Sequence, residues 1–386
     1  MKALLRGAAV LVLALPLLSA TPAQAADPEL VVTPVAEGLQ NPWAMTFLPD
    51  GSMLYTQRDR RTVTLRTPDG TSRVVLDKPA GMWAGGETGL MGIERSVSFS
   101  SDRQFFVCHG YRSGSTRDVR VTAWRLDASL TRATFVRNLV TGLPSTSGRH
   151  GGCALQRGSR TSLYVGTGDA ATGTASQNKR SGGGKVLRIS AVTGKGYSGN
   201  PFLSSKYPLK RLVWTWGHRN VQGLARQPGT GLTFSVEHGS YRDDEVNVLG
   251  KAYDFGWNPV PRRKGDPSYN EGANSPMTDY ALPGSQRAAV WRSGNPTIAP
   301  SGADFVSGSA WGSFDGMLAM GVLKGQQLRL LKLDASRKVV RQVVPAALDD
   351  TYGRLRGVRR GPDGALYVTT SNGSNDKILK ITPRPS

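Results

Sequence analysis

The stretch NPWAMTFLPDGSMLYTQ, residues 41–57, contains a complete β-hairpin in compressed form. Asn41 to Phe47 alternates as a strand, Pro49-Asp50-Gly51 supplies the residues of a tight turn, and Met53 to Gln57 returns as a second apolar strand. The same unit recurs near the end of the chain, where Gly361-Pro362-Asp363-Gly364 is followed by Ala365-Leu366-Tyr367-Val368. Looser copies run from Cys153-Ala154-Leu155 through Gly158-Ser159-Arg160 to Leu163-Tyr164-Val165, and from Leu224-Ala225 through Pro228-Gly229 to Phe234. Hairpins recurring about every 40 to 60 residues indicate radial repetition of one structural unit around a central axis. A short strand at Glu29 to Val32 has no partner nearby, and it reads as the strand that closes such a ring by joining the last unit.

Composition supports that reading. The chain has 386 residues, 47 of them Gly and 23 Pro, and no extended 3.6-residue apolar period is found, so many short strands and few short helices are expected. Met1 to Ala25 has the three regions of an export leader: Lys2 and Arg6, an apolar run from Ala8 to Leu18, and Ala23-Gln24-Ala25 before Ala26. The run is shorter than the roughly 20 residues needed to span a bilayer. Secretion or other extracytoplasmic placement follows, with residues 1–25 a signal peptide, no membrane span, and residues 26–386 forming a single domain. The formal net charge is +21, but the basic residues read as scattered and no nucleic-acid motif is present; anionic cell-wall polymers are a partner such a surface could favour. Cys108 and Cys153 are the only cysteines, and in an oxidising compartment the pair suggests a disulfide. No CxxC or HxxxH spacing supports the rival metal site.

Polar residues concentrate in a few segments. Val213, Trp214 and Trp216 read as a buried strand ending in His218-Arg219-Asn220, and the strand Leu232 to Val236 of the same sheet leads to Glu237-His238-Gly239 and Asp243-Asp244-Glu245. Gly85-Gly86-Glu87-Thr88-Gly89 approaches a strand ending near Cys108-His109. Ser147-Gly148-Arg149-His150-Gly151-Gly152 sets a histidine between glycines, where it is expected to be exposed to a ligand. Thr297 lies in a proline-fixed turn. Lys324 stands between two strands, and Arg354 and Arg356 alternate with period two, so that the three cations could receive a polycarboxylate.

Five segments in this order, NPWAMTFLPDG, GGETGLMG, GRHGG with TGD, GHRNVQGLA with EHGSYRDDEVN, and GRLRGVRRGPDG, resemble the soluble glucose/sorbosone dehydrogenases that carry pyrroloquinoline quinone (PQQ) and calcium. The resemblance implies an all-β fold, a six-bladed β-propeller with four-stranded antiparallel blades. It implies oxidation of an aldose sugar to its lactone and an electron acceptor not identified by the sequence. His150 matches the catalytic base, and Arg219 matches a second catalytic residue, beside the quinone. Glu87, Arg219, Asn220, His238, Thr297, Lys324, Arg354 and Arg356 match cofactor contacts. Gly239 and Ser240 fall where backbone carbonyls hold the Ca2+, with Asp244 and Glu245 as nearby acids. An imidazole suits proton abstraction near neutral pH, and a hard cation with oxygen ligands polarises a carbonyl. The chain departs from the family pattern at Arg149, where an acid is common, and at His238, Ser240 and Asn295. The carboxylate that orients His150 must therefore come from elsewhere or be missing. The alternatives are a noncatalytic carbohydrate-binding or wall-binding propeller and a calcium-dependent propeller lactonase.

Overall fold

A computed structural model describes residues 26–260, 269–272 and 275–384; the leader expected at residues 1–25 lies outside them. Six small sheets form the expected propeller. Blade 1 comprises Pro42–Phe47, Met53–Gln57, Thr62–Arg66 and Ser72–Asp77, and blade 5 comprises Pro300–Phe305, Leu318–Val322, Gln327–Leu333 and Val339–Val343, each in simple up-and-down order. Blade 6 contributes Leu355–Arg360, Leu366–Thr370 and Asp376–Pro383 and is closed by the N-terminal strand Leu30–Leu39, with Leu30 opposite Pro383 and Val32 opposite Ile381. This is the closure expected from the unpartnered strand near Glu29, and it removes two sheet edges at once.

The remaining blades depart from a plain four-stranded count or from the strand boundaries read in the sequence. Blade 2 holds Leu90–Arg95, Gln104–Ser113, Thr116–Leu126 and Ala133–Leu143, with the two residues Met82–Trp83 added to its second strand. The strand after the Glu87 loop thus ends at Arg95, and Cys108-His109 belongs to the next one. Blade 3 holds Gly152–Arg157, Ser162–Thr167, Lys185–Ser190 and Val213–Trp216, plus Tyr253–Asp254 pairing in parallel. Blade 4 holds Val221–Arg226, Thr233–Glu237, Glu245–Val248 and Trp291–Arg292. Val213–Trp216 and Thr233–Glu237 therefore lie in different sheets, and His218-Arg219-Asn220 is the crossover from the outer edge of blade 3 to the innermost strand of blade 4.

All six innermost strands share a device. Each has a register irregularity immediately after its first residue: at Pro42, Leu90, Gly152, Val221, Pro300 and Leu355. A bulge inserts an unpaired residue and re-aims its side chain. The second residue of the strand is thereby freed from the ladder, and three of these residues meet across the axis, where Arg356 Nη1 donates to Gln222 Oε1 at 3.0 Å and Ser301 Oγ at 3.2 Å. The third residue is Gly or Ala in every case. A Cβ on Gly223 would lie 2.2 Å from the Ser301 carbonyl oxygen, and one on Gly92 2.2 Å from that of Cys153, so neighbouring inner strands touch backbone to backbone.

At the other end of these strands a charged cluster closes the axis. Glu94 is fully buried and accepts from Thr46 Oγ1 at 2.9 Å and from Arg359, and it forms an ion pair with Arg157, whose Nε lies 3.1 Å away, while Arg359 Nη1 donates to Gln156 Oε1 at 3.0 Å. Blades 1, 2, 3 and 6 are joined there. Apolar cores lie between adjacent blades. Phe234 of blade 4 meets Phe305 of blade 5 edge-on with centroids 5.4 Å apart, among Val236, Val246, Leu318 and Met320. Truncating a wholly buried Phe of this kind to Ala costs about 3–5 kcal/mol. Cys108 of blade 2 is bonded to Cys153 of the inner strand of blade 3, with Cα atoms 5.5 Å apart, as expected from the sequence. Among the described residues no helix is long and apolar enough to cross a membrane.

Candidate active site at the entry of the inner strands

Nearly every polar residue singled out in the sequence precedes or begins an innermost strand or belongs to a loop beside one, so propeller closure gathers them at one end of the axis. His150 takes a left-handed backbone (φ 51°) that leads into Gly151-Gly152. The turn is pressed against Gly168: a Cβ there would lie 1.9 Å from the His150 carbonyl oxygen. This close approach places Asp169 under the imidazole, and His150 Nδ1 lies 2.8 Å from Asp169 Oδ1. The orienting carboxylate that the sequence reading could not locate is Asp169, in the TGD segment. Its other oxygen accepts from Trp257 Nε1 at 2.8 Å and from the Tyr269 hydroxyl at 3.1 Å, and Oδ1 also takes the Ala171 amide. His150 is only 3% exposed, in contrast to the open turn expected from its flanking glycines. Tyr269 stands edge-on to it with centroids 6.1 Å apart. Burial and the Asp169 charge push the Tyr269 phenol upward, which keeps it a hydroxyl donor.

Arg149 does not act on His150 as an unpaired charge. It forms an ion pair with Glu271, and its guanidinium carbon lies 5.7 Å from the Tyr269 ring centroid. The same carboxylate accepts from Arg219 Nε at 3.0 Å. Arg219 also donates to the His238 carbonyl at 3.2 Å, and its backbone amide binds Glu237 Oε2 at 2.8 Å. Asn220 is fully buried and ties three loops together: Oδ1 accepts from the Gly152 amide at 3.1 Å, Nδ2 donates to Glu87 Oε2 at 3.1 Å, and its carbonyl accepts from the His238 amide. The Glu87 loop is further fastened to the His150 loop by Thr88 Oγ1, 2.9 Å from the Gly148 carbonyl oxygen.

The three expected cations differ in environment. Arg356 is 7% exposed and stacked on Trp43, 3.6 Å from the ring centroid; its hydrogen-bond partners, Gln222, Ser301 and Ser371, are all neutral. Burial, and then the like charge of Arg58, lower its pKa to about 9. Lys324 and Arg354 are exposed, and among the described residues neither has a carboxylate partner. Thr297 is placed beside the 239–244 loop by its amide, 3.1 Å from the Tyr241 carbonyl oxygen.

The expected metal set separates into two groups. Asp244 is fully committed to backbone amides, with Gly239 N at 2.9 Å on one oxygen and Ile298 N at 2.6 Å and Ala299 N at 3.1 Å on the other. It braces two loops. Glu245 pairs with Arg292 Nε at 3.2 Å, and burial together with the neighbouring Glu237 raises its pKa. The structure thus gives both acids of the expected set other work. The carbonyl oxygens of Gly239 and Ser240 receive no hydrogen bond from any described residue, and Ser240 Oγ and His238 Nε2 are buried without a partner. Burial, reinforced by the charges of Arg219 and Arg356, holds His238 well below the usual imidazole range, so it is neutral. Among the described residues no group of three or more His, Cys, Asp or Glu side chains has metal-binding spacing. The residues that the sequence reading missed, Asp169, Trp257, Tyr269 and Glu271, carry no local signature. Only the TGD turn, opposite the glycine-flanked histidine, hinted at one of them.

The chain has counterparts among known proteins. The aldose sugar dehydrogenase YliI of Escherichia coli is 26% identical over 96% of this chain and 97% of its own length. Quinoprotein glucose dehydrogenase B of Acinetobacter calcoaceticus is 25% identical over 88% of this chain and 85% of its own. The solved PQQ-bound form of aldose sugar dehydrogenase from Streptomyces coelicolor superposes with a TM-score of 0.74 at 29% identity, covering 92% of this chain and 99% of that one. The profile of the Glucose / Sorbosone dehydrogenase family matches residues 39–380, and the chain belongs to that family of oxidoreductases.

Proposed function

We propose that this protein oxidises an aldose at its anomeric hydroxyl to the lactone, with His150 as the base and PQQ as the cofactor. The observation that carries the reading is a buried His150–Asp169 pair at the same end of the axis as Arg356, a buried cation with no carboxylate partner. Bound PQQ would supply an ortho-quinone that accepts the hydride, and three carboxylates that match cations.

The residues present fit such a group. Arg356, Lys324 and Arg354 would hold its carboxylates, and Asn220, Glu87, Thr297 and His238 lie on the loops around them. The free carbonyls of Gly239 and Ser240 and the orphaned Ser240 Oγ would hold a calcium ion. They are too few for its usual six to eight oxygens, so the cofactor and water would complete the shell. Asp244 and Glu245 would support this loop without ligating.

The proton path follows from the hydrogen bonds. Asp169 accepts the Nδ1 proton of His150, which fixes the tautomer and leaves the Nε2 lone pair for the substrate. As the sugar hydroxyl transfers its proton to Nε2, its oxygen becomes the lactone carbonyl and the hydrogen on the same carbon leaves with its electron pair. Asp169 then faces an imidazolium, and the attraction stabilises it. Glu271 pairs with both Arg149 and Arg219 and so offsets part of the positive charge that would oppose the imidazolium. Trp257 and Tyr269 hold the carboxylate in place and exclude water.

Export after leader cleavage is part of the same proposal. The test is single-turnover reduction of bound PQQ by a panel of aldoses over about pH 5 to 9. His150→Gln should lower the rate by about a hundredfold or more with PQQ affinity retained, the usual scale for losing a positioned base. Equal rates in both proteins would exclude His150 as the base. Failure of the wild type with every aldose would favour a noncatalytic carbohydrate-binding propeller.

A further inference from the structure

The basic residues are not evenly scattered after all. From residue 170 to residue 236 the sequence contains no Asp or Glu, yet it contains ten Lys or Arg. Lys185 is spent inside the fold, where its fully buried ammonium donates to the carbonyls of Ala175, Ser176 and Gly183, and Arg219 is spent in the active site. The other eight are exposed or half-buried.

Elsewhere in the molecule many surface cations have acidic partners, among them Arg58, Arg120, Arg341 and Lys377. Along blade 3 aromatic rings take that place. Lys179 Nζ lies 4.2 Å from the Trp216 ring, Lys210 Nζ 5.1 Å from Phe202, and Phe202 and Trp216 are themselves 5.9 Å apart. Arg180 and Lys206 share Tyr207 at 4.1 and 5.4 Å. Among the described residues none of these four cations has a carboxylate within ion-pair distance. A ring positions a cation without neutralising it, so the charge stays available to a ligand.

The row of stacked rings links two open clefts. One is lined by Lys195, Arg211, Leu203, Pro208 and Leu209, and the other by Lys179, Lys251, Arg287, Trp216 and Tyr253. The acid in the second cleft, Asp254, is buried, with Oδ1 occupied by Gln177 Nε2 at 3.1 Å and the Gly256 amide at 2.9 Å.

From these features we infer that the outer edge of blade 3 is a docking strip for a linear, base-free phosphodiester polymer. The clefts suit a flexible strand more than the convex face of a globular protein. Lysines are five of the nine cleft and ring-stacked cations, and an ammonium is a rotatable point charge that can follow freely rotating phosphates along a strand. The rings already carry cations, so they offer little to the bases of a nucleic acid, which would otherwise stack on them. Binding should be driven by counterion release and fall steeply with salt.

Poly(glycerol phosphate) is the probe, measured by fluorescence anisotropy on the full-length mature protein from about 50 mM salt upward. The strip variant carries Lys179→Gln, Lys206→Gln, Lys210→Gln and Arg211→Gln. A control of equal net charge carries Arg73→Gln, Lys78→Gln, Arg337→Gln and Lys338→Gln on blades 1 and 5. The strip variant should raise Kd by about tenfold or more and make the slope of log K against log salt less negative by about 3, while the control stays within about twofold of wild type. Both should melt and reduce dye as wild type does. Equal losses in the two variants would reduce the effect to net charge, and no loss in the strip variant would place binding elsewhere. Tighter binding of single-stranded DNA with equal phosphate number, or of polygalacturonate, would overturn the choice of a base-free phosphate polymer.

Discussion

Replacing Arg356 with Met should move stability and cofactor affinity in opposite directions. The guanidinium is 7% exposed and has only neutral hydrogen-bond partners, and burial is the main cause that lowers its pKa from 12.5 to about 9. A shift of that size corresponds to an energetic strain of up to ~5 kcal/mol in the charged folded state. Loss of the Trp43 stack and of three hydrogen bonds gives back part of it, so Arg356→Met should stabilise the cofactor-free protein by about 1–3 kcal/mol. For a chain of this length the unfolding entropy is roughly 0.75 kcal/mol per kelvin, which makes the rise in Tm about 1–4 °C. The pH dependence has a definite sign. With the folded pKa depressed, the strain is present in full below about pH 9 and is relieved as pH rises from there, because the unfolded chain then binds the extra proton. Between about pH 8 and 10 the wild type should therefore gain on the variant. Affinity for PQQ should fall by about 10- to 100-fold, the loss of one charged hydrogen-bonding partner. Thermal melts of apoprotein at several pH values, paired with PQQ titration calorimetry, measure both. A variant that melts lower than wild type and binds PQQ equally well would show that Arg356 is a structural prop for Trp43, and the argument from uncompensated charge would fail.

Asp169→Asn keeps the shape but places an NH2 against a donor, either His150 Nδ1–H or the Trp257 indole; single-turnover PQQ reduction should fall by about 10²- to 10⁴-fold with sugar and PQQ binding little changed, and a loss under tenfold would remove Asp169 as the orienting group. Glu94→Gln leaves the largely covered Arg359 and the half-buried Arg157 without their counter-charge and should cost about 2–4 kcal/mol, or a Tm lower by about 3–5 °C. Burial alone would raise the Glu94 pKa, but the charges of Arg359 and Arg157 more than offset it, so the stability from Glu94 is present above the usual carboxylate range and lost as pH falls below about 4.5. Acid unfolding followed by circular dichroism should accordingly show a shallower decline below that pH in the variant than in wild type.

The propeller was legible because its repeating unit is local: a Pro-Asp-Gly turn between two apolar strands declares itself within 17 residues, and the strand near Glu29 declared its lack of a partner. The site was legible in its residue types and much less in their duties. Asp244 and Glu245 look equally available in the string EHGSYRDDEVN, yet one is consumed by three amides and the other by Arg292 from a strand 47 residues away. Asp169 and Glu271 were missed for the converse reason. What gives each its role is a tertiary contact, Asp169 with His150 across the paired strand ends of blade 3 and Glu271 with Arg149 from a loop 122 residues further along the chain, and no periodicity records such a contact. The period-two reading of Arg354 and Arg356 treated both as strand residues; Arg354 precedes the strand and is exposed, whereas the bulge turns Arg356 inward. The Gly or Ala at the third place of every inner strand stands in the sequence as MGI, QGL, SGA and RGV and as WAM and CAL, but in a chain with 47 glycines it marks these strands only once the fold is known.

The bulges beside those glycines separate two demands that usually conflict. A residue held in the hydrogen-bond ladder of a strand cannot be exchanged without disturbing its partners, but the bulged residue has already left the ladder. Trp43, Met91, Gln222, Ser301 and Arg356 therefore form five stations around one axis at which a side chain can change while the ring beneath keeps its register; the sixth, Cys153, is held by its disulfide to Cys108. Such a scaffold lets a lineage retune what it binds by single substitutions, with no need to redesign the wheel that carries them.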